Sequence, residues 1–578
     1  MNRRNNMKRI AIPLLLSLSL LLSGCQNTDT GSNGGDSAST GAESVAVIDT
    51  AALFSDRDLD GSYDESAAVH IQLEGETAVC DSDAVSIDGS RITLLDEGTY
   101  LVSGALTDGQ IVVDAGDTDK VQIVLASASL TCADSAAIYS KSADKVFLTL
   151  AEGTENTLTN GGSYTAIDKN NIDSVVFSKT DLTLNGSGSL TIDAQAGHGV
   201  VSKDELTITG GSYTVTAAEH GMTGKDSLAV AGGDFTIISG KDGLHAENAD
   251  DSALGFLYVA DGTFTITAQG DAVSASGALQ VDGGTFDLTT GGGSASVTMT
   301  TGDSFAPGGM GGGPGGQDGA PLQGDPPAGG ETPPELPDNS GGGQLPELPA
   351  QPSGSETASA AETAEGTETA EDTVSQKGVK ADGALTINGG TFTVDSADDC
   401  LHSGGALAVT GGTFTLSSGD DAIHSDDAVT IRAGEFSIPY CYEGVEGLSV
   451  TVEGEAFDVT AHDDGFNAAG GADSSDFGGM DEPFAASEDS FITVNGGTIT
   501  VVSDGDCLDS NGDLTVNGGT LDLTCNGNGN TALDCSGSYT NNGGSVTTND
   551  GSETNSGGRS GNRLEEEREP LPSGRPKA

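Results

Sequence analysis

Tryptophan is absent from this 578-residue chain and only 4% of its residues are aromatic, while 87 are glycine. Such a composition fits an ordinary globular α/β enzyme poorly, and it excludes a face of stacked indoles as a grip on flat crystalline polysaccharide. Basic residues are scarce as well: 22 Lys and Arg stand against 88 Asp and Glu, a formal charge of -66. A field of that sign repels polyanions such as nucleic acid unless cations intervene. Helix-period apolar stretches are missing, and beyond the N-terminus no apolar run approaches membrane length. The cysteines show no paired spacing. With Cys25 set aside, Cys80, Cys132, Cys400, Cys441, Cys507, Cys525 and Cys535 are odd in number, and they read as small buried apolar residues rather than a disulfide framework.

What is present begins with an export signal. "MNRRNNMKR" is a basic leader, "IAIPLLLSLSLLL" an apolar stretch too short to span a bilayer, and "LSGC" has the form of a lipoprotein cleavage site. Residues 1–24 therefore read as a lipoprotein signal peptide and Cys25 as the lipid-modified first residue of an exported chain, anchored at the outer face of the cell membrane. Residues 25–45, rich in Ser, Gly and Thr, read as a flexible linker.

Repeats carry the fold. "LAVAGGDFTII", "LQVDGGTFDLT", "LTINGGTFTVD", "LAVTGGTFTLS" and "LTVNGGTLDLT" share alternating apolar positions on both sides of a Gly pair. The second Gly recurs at a step of 22, as at Gly211 and Gly233, Gly262 and Gly284, Gly390 and Gly412, and Gly497 and Gly519. Period-2 alternation predicts strands, and the Gly pairs predict corners. At about 3.3 Å per residue, 22 residues make a coil of roughly 70 Å, three-sided and stackable at about 4.8 Å. The expectation is an all-β parallel β-helix in which Leu385, Ile387, Phe392 and Val394 point inward in one coil and Leu407, Val409, Phe414 and Leu416 in the next. N-terminal coils occupy 46–292, the first of them irregular and capping the stack, and C-terminal coils occupy 379–549. Residues 293–378 hold 11 of the 17 prolines and read as a disordered insertion that leaves the helix and rejoins it. A shorter acidic loop spans 470–489, and 550–578 is a polar tail.

Nine residues after the second Gly the coils are recurrently acidic: Asp242, Asp271, Asp399, Asp421, Glu443 and Asp506, with Asp464 if the irregular coil is anchored on Glu455. Three residues later come His245, Ser274, His402, His424, Glu446, Asn467 and Asp509. Asp398, Asp420 and Asp463 double the acid. Two carboxylates about 4.8 Å apart at an effective dielectric near 20 repel by roughly 3 kcal/mol. A stack of them needs protons, backbone amides or a cation. Clustered hard oxygens suit Ca²⁺, so Asp242, Asp271, Asp398, Asp399, Asp420, Asp421, Asp463, Asp464, Asp506 and Asp509 are the candidate ligands. His245, His402 and His424 are poor calcium ligands and are expected to orient the carboxylates by hydrogen bonding or to form a polar stack. No lysine or arginine stands beside the cluster at 398–427 in the sequence.

"DRDLDGSYDE" opens like an EF-hand loop at Asp56, Asp58, Asp60 and Gly61, but Ala67 stands where the bidentate Glu belongs, so an acidic approach to the first coil is the competing reading. Lys141, Lys179, Lys203 and Lys225 fall at one corner of successive coils. They read either as a ladder balanced by Asp144, Asp181, Asp204 and Asp226 or, for Lys179, Lys203 and Lys225, as a ligand-contacting strip or a lyase-type base.

The strings "VDAGDTDKVQIVL", "AAIYSKSADKVFLTLAEGTENTL", "KTDLTLNGSGSLTI", "KDSLAVAGGDFTII" and "KDGLHAENAD" resemble the clostridial carbohydrate-binding parallel β-helix lipoproteins over residues 46 to about 549, the insertions aside. The resemblance implies a right-handed parallel β-helix, bound calcium, cell-surface placement and polysaccharide binding without catalysis. The expected protein is a monomeric surface lipoprotein that binds plant-type or acidic polysaccharide. A calcium-dependent pectate-type lyase and a surface adhesin are the alternatives.

Overall fold

The computed structural model describes residues 48–165, 168–299, 375–468 and 489–554. The signal segment 1–24, Cys25, the linker 25–45, most of 293–378 and 470–489, and the tail beyond 554 lie outside the described residues.

Among the described residues 44 strands join one continuous sheet, and helix appears only as single turns. Pairing is parallel except at the N-terminal end, where Gln72 pairs with Val79 and Ile87 with Ile92 in antiparallel hairpins. Those hairpins turn the first edge back on itself and so blunt it against pairing with other chains. The rest is a parallel β-helix. One coil shows the plan: strands Thr391–Ser396, Leu401–Ser403 and Leu407–Val409 are separated by three turns. The next coil lies in register one step of 22 further on, with Phe392 opposite Phe414 and Leu385 opposite Leu407.

The two insertions do not break this register. Phe286 pairs with Phe392 across the first, and Phe457 with Ile499 across the second. The eight residues expected to point inward in the two neighbouring coils are all 2% exposed or less.

The Gly-Gly-x-Phe motif has a steric origin. Gly412 has φ +122°, and a Cβ there would lie 2.9 Å from the ring of Phe414. A side chain at that corner is refused twice, by the left-handed backbone and by the aromatic ring beneath. The rings so admitted stack on one another. Tyr213, Phe235, Phe264, Phe286, Phe392, Phe414, Phe436 and Phe457 form an unbroken column with centroids 4.4–5.4 Å apart. Each contact combines apolar burial with an aromatic pair worth about 1 kcal/mol beyond its area.

The EF-hand-like segment folds as a plug on the flank. Ser55 caps the single turn Asp56–Leu59 in a capping box with Asp58. Asp58 is buried, pairs with Lys145 at 2.8 Å and accepts from the Thr183 hydroxyl at 2.6 Å. Its carbonyl accepts from Asn185. Asp60 accepts from its own neighbour, the Ser62 amide. Of the carboxylates that an EF-hand loop would aim at one ion, Asp58 is thus spent on docking the segment and Asp60 on a local turn.

Removing one ring from the middle of the column leaves a cavity that a close-packed solenoid closes poorly, so Phe392→Ala should lower unfolding free energy by about 3–5 kcal/mol in urea titrations. Glu455 occupies a Gly-type corner at φ +105°; Glu455→Gly should raise stability by roughly 1 kcal/mol in the same assay.

Candidate functional site

The turn after each long strand brings the recurrent acids into one column. Asp242, Asp271, Asp399, Asp421, Glu443, Asp464 and Asp506 stand in it; all but Glu443 offer an oxygen to a backbone amide along the axis, and Glu443 offers its oxygens to the Asn467 side chain. The backbone amide of Asp271 donates to Asp242 Oδ1 at 2.9 Å, that of Lys377 to Asp271 Oδ1 at 2.7 Å, and that of Asp421 to Asp399 Oδ1 at 3.1 Å. The amides of Glu443 and Asp506 bond Asp421 and Asp464 at 3.2 and 2.6 Å, and that of Thr531 bonds Asp506. One oxygen per rung is therefore satisfied by the next coil, and the stacked like charges are held apart by donors.

The second oxygen differs along the column. Three residues on, His245, His402 and His424 turn Nδ1 toward Asp242, Asp399 and Asp421 at 2.7, 2.8 and 3.0 Å, which is the orienting role their spacing predicted. These residues line a second column, whose register runs His245, Ser274, Lys380, His402, His424, Glu446, Asn467, Asp509 and Asp534.

A basic residue does stand beside the 398–427 cluster, against the expectation from sequence. Lys377 Nζ lies 2.7 Å from Asp398 Oδ1 and 2.8 Å from Asp399 Oδ2. The insertion separates Lys377 from Gly284, so stepping forward from that Gly pair lands on residue 293 and misses it. Residues 375–377, placed in the insertion by composition, belong to the column.

Charge and burial set the protonation of these groups. Burial raises Asp399, but the Lys377 ammonium and His402 outweigh it and hold the carboxyl below its ordinary range. Asp242 is likewise lowered, burial being overcome by the His220 and His245 rings against it. Burial opposes protonation of His424, yet its contacts with Asp421 and Glu446 carry it up to about 12. Asp421 itself is pushed up by burial and by the neighbouring Asp399 and Glu446 charges.

Toward the C-terminal end the balance changes. The sequence holds no lysine or arginine between residues 433 and 554. Burial, then the charges of Asp421, Glu446 and Asp464, push Glu443 well up; burial, then Asp509, Asp463 and Asp506, do the same to Asp464. Ligand oxygens of Asp506, Asp509 and Asp534 lie within 4.8 Å of one another. Asn467, 8% exposed, uses its amide nitrogen on Glu443, while its buried Oδ1 has no hydrogen-bond partner. An all-oxygen donor set with an orphaned carbonyl fits a hard cation such as Ca²⁺.

A second feature lies beside the N-terminal part of the column. His198, His220 and His245 stack with centroids 5.1 and 4.2 Å apart. His198 Nδ1 accepts the His220 amide at 3.1 Å, and His220 Nδ1 accepts the Asp242 amide at 3.2 Å. An imidazole that accepts at Nδ1 carries its proton on Nε2. Burial and the neighbouring His220 lower His198 to about 4, so it is neutral near pH 7.

With Lys203, Lys225, Lys241 and Thr223 these rings line an open groove of about 390 Å³. The Thr223 hydroxyl oxygen is buried there without a hydrogen-bond partner. Lys203 and Lys225 were legible as candidates; Lys241, His198 and His220 were missed, although the His pair repeats at the 22-residue step. Lys179 shares the column of Lys203 and Lys225 but does not line the groove. The lysines' partners are also not those nearest in sequence: Lys141 pairs with Asp114, Lys203 with Asp173 and Lys225 with Asp250.

Comparison with known proteins places these features in context. Residues 88–422 and 420–562 match the carbohydrate-binding domain-containing protein family. A carbohydrate-binding domain-containing protein of Acetivibrio thermocellus is 37% identical over 137 residues, 23% of this chain and 48% of that relative, so the match spans about half of the relative's length. A solved structure, the polysaccharide lyase-like protein from C. thermocellum as a gadolinium derivative, is 32% identical and is aligned over 39% of this chain and 92% of its own, with a TM-score of 0.38.

The raised groups define a pH dependence. Asp421, Glu443, Asp464 and His424 bind protons more tightly folded than unfolded, so their contribution is fully present below the unfolded values (3.8, 4.5 and 6.5) and is lost as pH rises. Asp242 and Asp399 act oppositely and lose their contribution as pH falls below 3.8. In chelator, the melting temperature should peak near about pH 5 and decline toward pH 9. Millimolar Ca²⁺ should flatten the alkaline decline, and scanning calorimetry across pH with and without the ion checks both.

Proposed function

The chain belongs to the carbohydrate-binding domain-containing protein family, and from that premise we propose that it is an exported lipoprotein, anchored through Cys25, that holds acidic polysaccharide at the cell surface without cleaving it. The groove of Lys203, Lys225, Lys241 and the stacked histidines supports this reading. In a chain of charge -66, three ammonium groups, the ring nitrogens of the histidines and the Thr223 hydroxyl converge on one open channel, together with Glu219, Glu247 and Asp250, which pair with some of them and would be displaced or bridged by a ligand. Ammonium and imidazole donors match the carboxylate and hydroxyls of a uronate, and an open channel along a solenoid accepts a chain rather than a single sugar. Calcium at the oxygen cluster of Asp464, Asp506, Asp509 and Asp534 stiffens the C-terminal coils, with Asp463, Glu443 and Asn467 beside it. The other expected ligands, Asp242, Asp271, Asp398, Asp399, Asp420 and Asp421, lie where histidines and Lys377 also neutralise charge.

One observation disfavours the lyase alternative. A lysine base must be deprotonated near neutral pH, whereas the hydrogen bond to Asp250 raises Lys225, and Lys203 faces Asp173 at 3.8 Å. Salt bridges of this kind keep the ammonium charged for recognition.

Affinity electrophoresis of the mature protein in gels containing polygalacturonate should show retention, weakened at least tenfold by the combined Lys203→Met, Lys225→Met and Lys241→Met replacements. Growth of unsaturated-uronate absorbance would instead establish a lyase. Indifference to neutral and acidic glycans alike would point to adhesion.

A further inference from the structure

Lys377 stands at a place in the fold where every neighbouring rung carries an acid. Its amide donates the axial hydrogen bond to Asp271 Oδ1, at 2.7 Å, as an acid of that coil would. Its main-chain carbonyl receives the Ala272 amide, and the next residue, Gly378, donates to the Asp399 carbonyl. Lys377 is thus in phase with Asp271 and Asp399. Three residues on, Lys380 is in phase with Ser274 and His402, and its Nζ lies 4.0 Å from Asp271 Oδ2. The coil on which the chain rejoins the helix replaces the acid and its partner with two lysines.

The Lys377 side chain turns along the axis to the following coil. Its Nζ sits between Asp398 Oδ1 and Asp399 Oδ2 at 2.7 and 2.8 Å, and the side chain is only 10% exposed. Oxygens of Asp398, Asp399 and Asp420 lie within 4.8 Å of one another. The oxygens of Asp398 and Asp399 have further partners: Asp399 Oδ1 accepts the Asp421 amide, Asp399 Oδ2 also faces His402, Asp398 Oδ1 also accepts the Asp399 amide, and Asp398 Oδ2 accepts the Gln376 amide at 3.5 Å. A divalent cation bound to those carboxylates would meet an ammonium a hydrogen-bond length from its own ligands. Two cations that close in a buried site repel strongly.

We infer that the Lys377 ammonium is a tethered counter-ion that takes the place of a divalent cation at Asp398, Asp399 and Asp420, so that these rungs bind no metal while the chain is intact. The pocket is a latent cation site whose occupant is covalently attached. Metal dependence is thereby confined to the coils within residues 433–554, a stretch whose sequence holds no lysine or arginine. The inference concerns charge balance inside the column and stands whether or not the protein binds glycan.

The test is made on the full mature chain, with Ca²⁺ itself as the probe. Lys377→Met keeps most of the side-chain volume and removes the charge. Equilibrium dialysis should find one more Ca²⁺ per chain in Lys377→Met than in the parent. Thermal unfolding in chelator should show a lowered melting temperature that millimolar Ca²⁺ restores and equal ionic strength of NaCl does not. An unchanged stoichiometry, or a loss that Ca²⁺ fails to restore, overturns the inference. Should Lys377→Met fail to fold, Asp399→Asn in the parent background decides: the inference requires its Ca²⁺ stoichiometry to equal the parent's, and a fall by one ion overturns it.

Discussion

Like stacked upon like at one strand spacing is the constraint on which this structure rests. A 22-residue coil returns each residue to a place directly above its counterpart, about 4.8 Å away. For an apolar or aromatic ring that is close to an ideal contact distance, and the Tyr213-to-Phe457 column gains at every step. For a carboxylate the same distance costs roughly 3 kcal/mol if nothing intervenes. The coil therefore rewards repetition on its inside and penalises it in its acidic turn.

The acidic turn answers that penalty in several ways along one column. Next-coil amides take one oxygen of most rungs. Histidines take the other at Asp242, Asp399 and Asp421, and Lys377 adds a fixed positive charge at Asp398 and Asp399. Between residues 433 and 554 the sequence holds no lysine or arginine, and Glu443 and Asp464 are pushed toward holding protons. The column thus grades from self-neutralised coils to coils that would gain from an added cation. The groove of lysines and stacked histidines sits beside the self-neutralised end, and there too the charges are balanced locally, Lys225 by Asp250 and Lys241 by Glu219.

Much of this was legible from local chemistry. The Gly pair gives away its corner because the positive φ and the ring below Gly412 both refuse a Cβ. Phe286 and Phe392 read as neighbours despite the insertion, since the strand pattern resumes in phase. The acidic column and the orienting histidines followed from counting nine and twelve residues from each corner. Counting failed where a coil was interrupted. Lys377 lies 93 residues after its Gly anchor at 284, so its phase was hidden. Asp58 resembled a calcium ligand because its partners, Lys145 and Thr183, come from strands far along the chain.

The amino-acid sequence by itself determined the coil, its period, its inward faces and the existence of an acidic column, because each of these depends on residues within one repeat. Which charge neutralises which was decided only by the tertiary structure. Lys225 finds Asp250 and not Asp226 beside it, and Lys377 reaches forward to Asp398 and Asp399 on the following coil. Long flexible side chains choose partners across the stack, by distances of a few ångströms that the linear spacing of residues does not encode.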